Sequence, residues 1–220
     1  MSTAAKPYKG LGMEGWIARQ YARDTGKSME AYCSEARRVA ALLPADATVL
    51  EVAPGPGYFA IELAKLGDYR VTGLDISRTF VEMARRNAAS AGTRVEFRLG
   101  SASEVPFDDG QFDFLFCRAA FKNFSRPVKA LEEMHRVLKA GGRGLIVDLR
   151  RDASLKSINE EVARMGLGVF SAWNTRMAFR FCLIKRAYTR AEFERLLAQT
   201  PFGRGEIVES GIGMEIWLRK

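Results

Sequence analysis

The apolar residues of this chain fall into two kinds of cluster that take turns. Short continuous runs at 49–52, 69–74, 95–99, 112–117 and 144–149 predict strands buried on both faces. Between them, apolar positions recur at helical spacing. Residues 79–91 place Phe80, Met83, Ala84 and Ala88 on one side of a helix. Residues 127–139 predict another, with Pro127 in its first turn and Gly141-Gly142 as its stop. Ahead of the first strand, 16–21 and 29–43 read as helices, the second with Tyr32, Ala36, Val39 and Leu43 on one face. This alternation gives an α/β fold, a doubly wound and mostly parallel sheet covered on both sides. Ligands of such sheets bind outside the carboxyl ends of the strands.

The first strand runs into a turn with chemical content. Residues 48–64 read TVLEVAPGPGYFAIELA: a strand, a break at Pro54-Gly55-Pro56-Gly57, and a helix starting at Tyr58. Gly55 and Gly57 permit a sharp turn and a close ligand approach where a Cβ would clash. The helix N-terminus beyond offers unpaired N–H groups. Gly55 to Ala60 also fits the G-x-G-x-x-G/A fingerprint of nicotinamide and flavin binders. Glu51, four residues before Gly55, argues against that, because it would face a pyrophosphate unfavourably. Pro54 and Pro56 each remove a backbone donor as well. An acidic strand end suits a ligand carrying positive charge, such as the amino group and sulfonium of S-adenosylmethionine. Asp75, closing the second strand, can accept hydrogen bonds from ribose hydroxyls, which both cofactors share. Its competing role is a helix N-cap, for which Ser77 is better placed.

Composition narrows the setting. A chain of 220 residues, 47% apolar and 27% charged, supports one sizeable core. Cys33, Cys117 and Cys182 are widely spaced with no C-x-x-C pair, which predicts reduced thiols, a cytoplasmic location and no zinc site. No signal segment and no apolar run of membrane-spanning length is expected. The net charge of +8 is spread along the chain, without the basic runs of a nucleic-acid-binding arm.

The pattern E-x-x-x-G-x-G at 51–57 resembles the first motif of class I S-adenosylmethionine-dependent methyltransferases. Residues 100–113, GSASEVPFDDGQFD, are similar to the family's G-D-A-x-x-L-P-F-x-D-x-x-F-D. Residues 120–124, AFKNF, and 130–142, ALEEMHRVLKAGG, resemble the corresponding run of quinone C-methyltransferases of the ubiquinone/menaquinone type. The resemblance covers roughly residues 45–150, and strands at 206–209 and 213–219 fit the antiparallel pair that ends that Rossmann-like fold. It implies a cofactor-binding domain over 45–220, an N-terminal helical lid over 1–44 and an acceptor-side helical insertion over about 151–190. It also implies cofactor contacts at Glu51, Ala53, Gly55, Gly57, Asp75, Ile76, Ser101, Ala102 and Arg118, with Ile76 packed on the adenine ring. Ser101 departs from the family, whose acid there receives the adenine amino group; a hydroxyl takes that bond without charge.

The acceptor side is less defined. Met165, Leu167, Phe170, Trp173, Met177, Phe179 and Phe181 either line a pocket for an apolar or aromatic acceptor or pack the insertion onto the body. Residues 143–195 hold eleven Lys/Arg against six Asp/Glu. Arg118, Lys122, Arg150 and Arg151 fall near strand ends, where they could hold an anionic acceptor. Arg118, Lys122, Asn123 and Trp173 are the acceptor-side candidates, and Tyr8, Trp16 and Tyr21 the candidates for a lid. The only histidine, His135, lies on the side of its helix shared with Leu131 and Leu138 and reads as a packed residue, so no Ser/His/Asp or metal set forms around it. That favours acceptors that ionise readily, thiols or acidic phenol or quinol carbons. The expected activity is methyl transfer from S-adenosylmethionine to carbon, oxygen or sulfur of a small molecule. The alternatives are a nucleic-acid methyltransferase, prompted by the positive charge but lacking an N-P-P-Y-like tetrad, and a non-methylating protein that keeps the cofactor fold.

Overall fold

The computed structural model describes residues 8–9, 12–165, 169–179 and 183–220. Helices α1 (Gly15–Thr25) and α2 (Met29–Ala40) precede β1 (Thr48–Val52). Then follow α3 (Tyr58–Ala64), β2 (Arg70–Asp75), α4 (Arg78–Ser90), β3 (Glu96–Leu99) and β4 (Phe112–Arg118). Next come α5 (Pro127–Val137), β5 (Leu138–Leu149), α6 (Leu155–Arg164), α7 (Val169–Ala178) and α8 (Arg190–Leu197), and the chain ends in β6 (Glu206–Ser210) and β7 (Gly213–Arg219). The strands form one sheet in the order β3-β2-β1-β4-β5-β7-β6. β1 to β5 run parallel, and β7 is inserted antiparallel between β5 and β6. The expected sheet and its terminal antiparallel pair are both present.

Strand parity divides the core. Val49, Phe114, Phe116 and Leu145 face α2, α3 and α4, meeting Val39, Phe59, Leu63 and Ala84. Their neighbours Leu50, Val52, Leu115, Cys117 and Ile146 face the other way, onto α5, α8 and the β6–β7 pair. Both layers are apolar, which is why each strand reads as a continuous run instead of alternating.

The family-like segments are scaffold. The Glu133 carboxylate accepts from the Val105 N–H at 2.9 Å, while Arg136 donates to the Val105 and Phe107 carbonyls at 2.8 Å each. The 130–142 run therefore holds the 100–113 loop by hydrogen bonds. The boundary at its end differs from expectation: α5 stops at Val137, and Leu138, already extended, pairs with Phe112. Phe114 then pairs with Arg143, so 139–142 loops out of the ladder. Gly141 turns it with φ +78°, and a Cβ on Gly142 would lie 2.8 Å from the Lys139 carbonyl oxygen.

The described residues of 151–190 include α6 and α7, and Phe179 packs with Ile158, Val162, Ile184 and Ile212 in a small separate cluster. Met165, Trp173 and Met177 are exposed. The side chains of Leu167, Phe170 and Phe181, and Cys182, lie outside the described residues. α8 begins with a full capping box, Thr189 and Glu192. No helix among the described residues is long and apolar enough to cross a membrane.

Candidate functional site

The turn after β1 is built from alternating constraints. Ala53, Gly55 and Gly57 all have positive φ, at +58°, +55° and +80°, and the two prolines between them lock their own φ near −65°. α4 braces the turn, with Asn87 donating to the Pro56 carbonyl at 2.9 Å. The two glycines serve different needs. A Cβ on Gly55 would meet only the edge of Tyr21, at 3.9 Å, so this glycine opens onto free space. A Cβ on Gly57 would lie 2.7 Å from Phe97 and 3.0 Å from Ala84, inside the core.

The free space is a cavity of about 440 Å³ at the carboxyl ends of β1, β2 and β4, within the size range of small-molecule sites. Of the residues expected to contact a cofactor, Ala53, Gly55, Asp75, Ile76, Ser101, Ala102 and Arg118 line it, together with the acceptor-side candidate Asn123. Glu51, Gly57, Lys122 and Trp173 are not on its wall. Parity turns the buried Glu51 side chain towards α3, where its carboxylate accepts from the Ala60 N–H at 3.1 Å in the helix's first turn. Burial pushes that carboxyl up to about 8, with the Ala60 bond opposing.

Asp75 joins the two halves of the site. One carboxylate oxygen accepts from the Gly55 N–H at 3.0 Å and the other from the Ser77 N–H at 2.8 Å. Ser77, not Asp75, caps α4 through its hydroxyl and the Phe80 N–H. Burial raises Asp75 to about 6, against the pull of these two N–H groups. A carboxylate oxygen has more than one lone pair, so Asp75 keeps acceptor capacity towards the cavity.

Ser101, half-buried, accepts from the Ser103 N–H at 3.2 Å. Ile76 presents an exposed apolar surface. Arg118 reaches the cavity while paired with Glu35 of α2 and lying 5.0 Å from the Tyr32 ring centroid. Lys122 is buried in an ion pair with Asp148 at 2.8 Å and donates to the Ala119 carbonyl. Ala119 follows β4 with φ +55°, mirroring Ala53 directly after β1. Left-handed non-glycine residues cost about 1–3 kcal/mol each and cluster at functional sites; these two flank one cavity.

Other wall residues escaped the sequence reading. Met13 and Glu14 border the β2 end: the Ser77 hydroxyl donates to the Met13 carbonyl at 2.5 Å, and Glu14 accepts from the Arg78 and Thr79 N–H groups at 3.0 and 3.1 Å. Burial opposes ionisation of Glu14, yet the bonds from Thr79 and Arg78 hold its carboxyl below the usual range. These partners are far apart in sequence, and no local signal links them. Of the three lid candidates, Tyr8 and Tyr21 line the cavity, whereas Trp16 is exposed and off its wall. His135, on α5, packs edge-on against Phe202, away from the cavity. Among the described residues no cluster of metal ligands occurs.

The comparisons with known proteins agree with this geometry. A family model described as a methyltransferase domain matches residues 50–146. The chain is 36% identical over 107 residues to a demethylmenaquinone methyltransferase of Deinococcus radiodurans, covering 48% of this chain and 44% of the relative. It is 34% identical over 105 residues to the ubiquinone/menaquinone biosynthesis C-methyltransferase UbiE of a Geobacter species, covering 46% and 44%. The chain thus matches less than half the length of these curated relatives. Among solved structures, a candidate S-adenosyl-L-methionine-dependent methyltransferase of Methanococcus maripaludis superposes with TM-score 0.74 at 22% identity, covering 100% of this chain and 97% of the other. A SAM-dependent methyltransferase of Aquifex aeolicus gives 0.65 at 22% identity, covering 84% and 88%. The strand order, the glycine turn opening on Asp75 and the matched domain converge: residues 50–146 match a methyltransferase domain, and the chain has the fold of the S-adenosylmethionine-dependent methyltransferases it superposes on.

Proposed function

We propose that the cavity holds S-adenosylmethionine and that the chain transfers its methyl group to a small-molecule acceptor through carbon, oxygen or sulfur. A quinol-like ring is the first acceptor to try, because the relatives above are named for quinone methylation. The observation that carries the reading is the Asp75–Gly55 bond, which brings an acidic acceptor and a side-chain-free backbone to one cavity wall. The donor set fits a nucleoside: Asp75 to accept from ribose hydroxyls, Ile76 as an apolar platform and Ser101 to accept from an exocyclic amine. When bound, S-adenosylmethionine supplies a methyl group already activated by its sulfonium.

The residues of the chain then have to align the acceptor and exclude water. Tyr8, Tyr21 and the Met13–Glu14 segment wall the cavity on its N-terminal side, which supports reading residues up to 44 as a lid on the 45–220 domain. Burial raises the Tyr8 and Tyr21 phenols above their ordinary value, so both are neutral hydrogen-bonding groups at neutral pH, not bases. An acceptor that ionises by itself, a thiol or an acidic phenol or quinol, suits such a wall. The free thiols Cys33 and Cys117 support a cytoplasmic setting.

Calorimetric titration with S-adenosylmethionine, its demethylated product and NAD tests the cofactor; heat with NAD and none with S-adenosylmethionine would overturn the reading. Radiolabelled methyl transfer over quinols, phenols, thiols and tRNA then identifies the acceptor, and transfer to tRNA alone would favour the nucleic-acid alternative.

A further inference from the structure

The basic residues that sequence position nominated for an anionic acceptor are all matched by carboxylates. Arg118 pairs with Glu35, Lys122 with Asp148, Arg150 with Asp152 and Glu209, and Arg151 with Glu192. Positive charge also gathers in a second place. A second cavity of about 530 Å³ is lined by Lys9, Arg151, Lys185, Arg186 and Arg195, with Glu192 as its one carboxylate. Glu192 is already committed to Arg151 and to the Thr189 N–H in the capping box of α8. Among the described residues no carboxylate forms an ion pair with Lys9, Arg186 or Arg195.

Two of these cations are held in place by neutral groups. Lys9 Nζ donates to the Tyr188 hydroxyl at 3.1 Å and lies 5.4 Å from that ring's centroid. Arg186 donates to the Lys9 carbonyl at 3.3 Å. Tyr188 is itself fixed, its ring packed near Phe121 and Phe193 and its backbone bridged to Arg150. Cations in one concavity repel each other and focus a positive potential into it. Holding them there beforehand lowers the ordering cost of binding a multi-oxygen anion.

We propose that this cavity binds the phosphate group of a small molecule, with Lys9, Arg186 and Arg195 as its principal ligands. Phosphate presents several acceptor oxygens with net negative charge to donors arriving from different directions, and guanidinium groups match it in pairs. Lys9 adjoins Tyr8, which lines the main cavity, so the phosphate is bound beside the methyltransferase site and not within it. The proposal does not depend on the identity of the methyl donor.

The test is calorimetric titration of the full chain with inorganic pyrophosphate at constant ionic strength, without S-adenosylmethionine. Saturable binding is expected, weakened about tenfold or more in Arg186→Gln and in Arg195→Gln. Lys156→Gln, on the exposed face of α6, should bind as wild type. Melting by circular dichroism checks folding; should Arg186→Gln unfold, Arg195→Gln decides, since its side chain bonds only the Ala191 carbonyl. No saturable heat, or unchanged affinity in the folded variants, overturns the proposal. So does capture by phosphatidylcholine vesicles containing phosphatidylglycerol, or by a short single-stranded oligonucleotide, that pyrophosphate fails to displace. S-adenosylmethionine affinity, measured separately in the same variants, should stay unchanged.

Discussion

Gly55 and Gly57 belong to one motif, but the structure predicts opposite consequences for adding a single carbon to each. At Gly57 the new Cβ would stand 2.7 Å from the end of the Phe97 ring and 3.0 Å from Ala84. Phe97 has nowhere to go. It is buried, and the same edge of its ring lies 2.5 Å from where a Cβ on Gly73 would stand, so the ring is packed against the bare backbone of both glycines. Gly57→Ala therefore combines a left-handed backbone strain of about 1–2 kcal/mol with an overpacking cost of about 1–3 kcal/mol. The sum, about 2–5 kcal/mol, is a large part of a domain's net stability. Gly55→Ala carries the backbone strain alone, because its Cβ meets only Tyr21 at 3.9 Å, but it places a methyl group in the cavity. Urea unfolding followed by circular dichroism, with S-adenosylmethionine titration of whatever remains folded, separates the two. Gly57→Ala should lose stability, with affinity retained in the folded fraction. Gly55→Ala should lose about 1–2 kcal/mol of stability and most of its affinity. A stable Gly57→Ala protein without binding, or a Gly55→Ala protein that binds normally, would refute this assignment.

Asp75→Asn should weaken S-adenosylmethionine binding by about 1.5–3 kcal/mol, the range for a hydrogen bond to a charged group. Because burial raises Asp75 to about 6, its carboxylate takes up a proton as pH falls through that value, and wild-type affinity should decline below it while Asp75→Asn stays flat; a flat wild-type profile would argue against Asp75 as a ligand. Glu51 has its folded pKa raised by burial to about 8, so it contributes stability that is fully present below its unfolded value of about 4.3 and lost as pH rises through 8. Glu51→Gln should accordingly flatten the fall in Tm towards alkaline pH, and an unchanged slope would contradict that burial. Lys122→Ala leaves Asp148 buried without its cation and should cost about 3–5 kcal/mol in urea unfolding; a smaller loss would mean that the Lys122 and Leu149 N–H groups suffice for Asp148. Trp173 is 56% exposed, so Trp173→Ala should change stability by no more than about 0.5 kcal/mol and leave S-adenosylmethionine binding intact; a large drop in Tm would place the indole in a core.

The fold was legible from the chain because its determinants are local. Apolar runs of strand length, separated by helical periods and glycine or proline breaks, specify βαβ units wherever they occur, and the 51–57 and 100–113 patterns locate the edge at which the cavity opens. Asp75 was legible for the same reason, since the end of β2 lies beside the end of β1 in any such sheet. What each side chain does there was not. Gly55 and Gly57 look alike in sequence, yet one faces the cavity and the other Phe97, a difference made by a residue two strands away. Glu51 reads as a cofactor acid until parity turns it onto the N–H of Ala60. Lys122 reads as an acceptor ligand until Asp148, from the next strand, neutralises it. The N-terminal wall at Met13 and Glu14 exists because α4 offers unpaired N–H groups to a segment distant in the chain, and the basic cavity because Lys9 meets Arg186. A linear pattern encodes periodicity and adjacency along the chain; burial, charge pairing and the free volume around a Cβ depend on distant segments, and those arise only when the chain is packed.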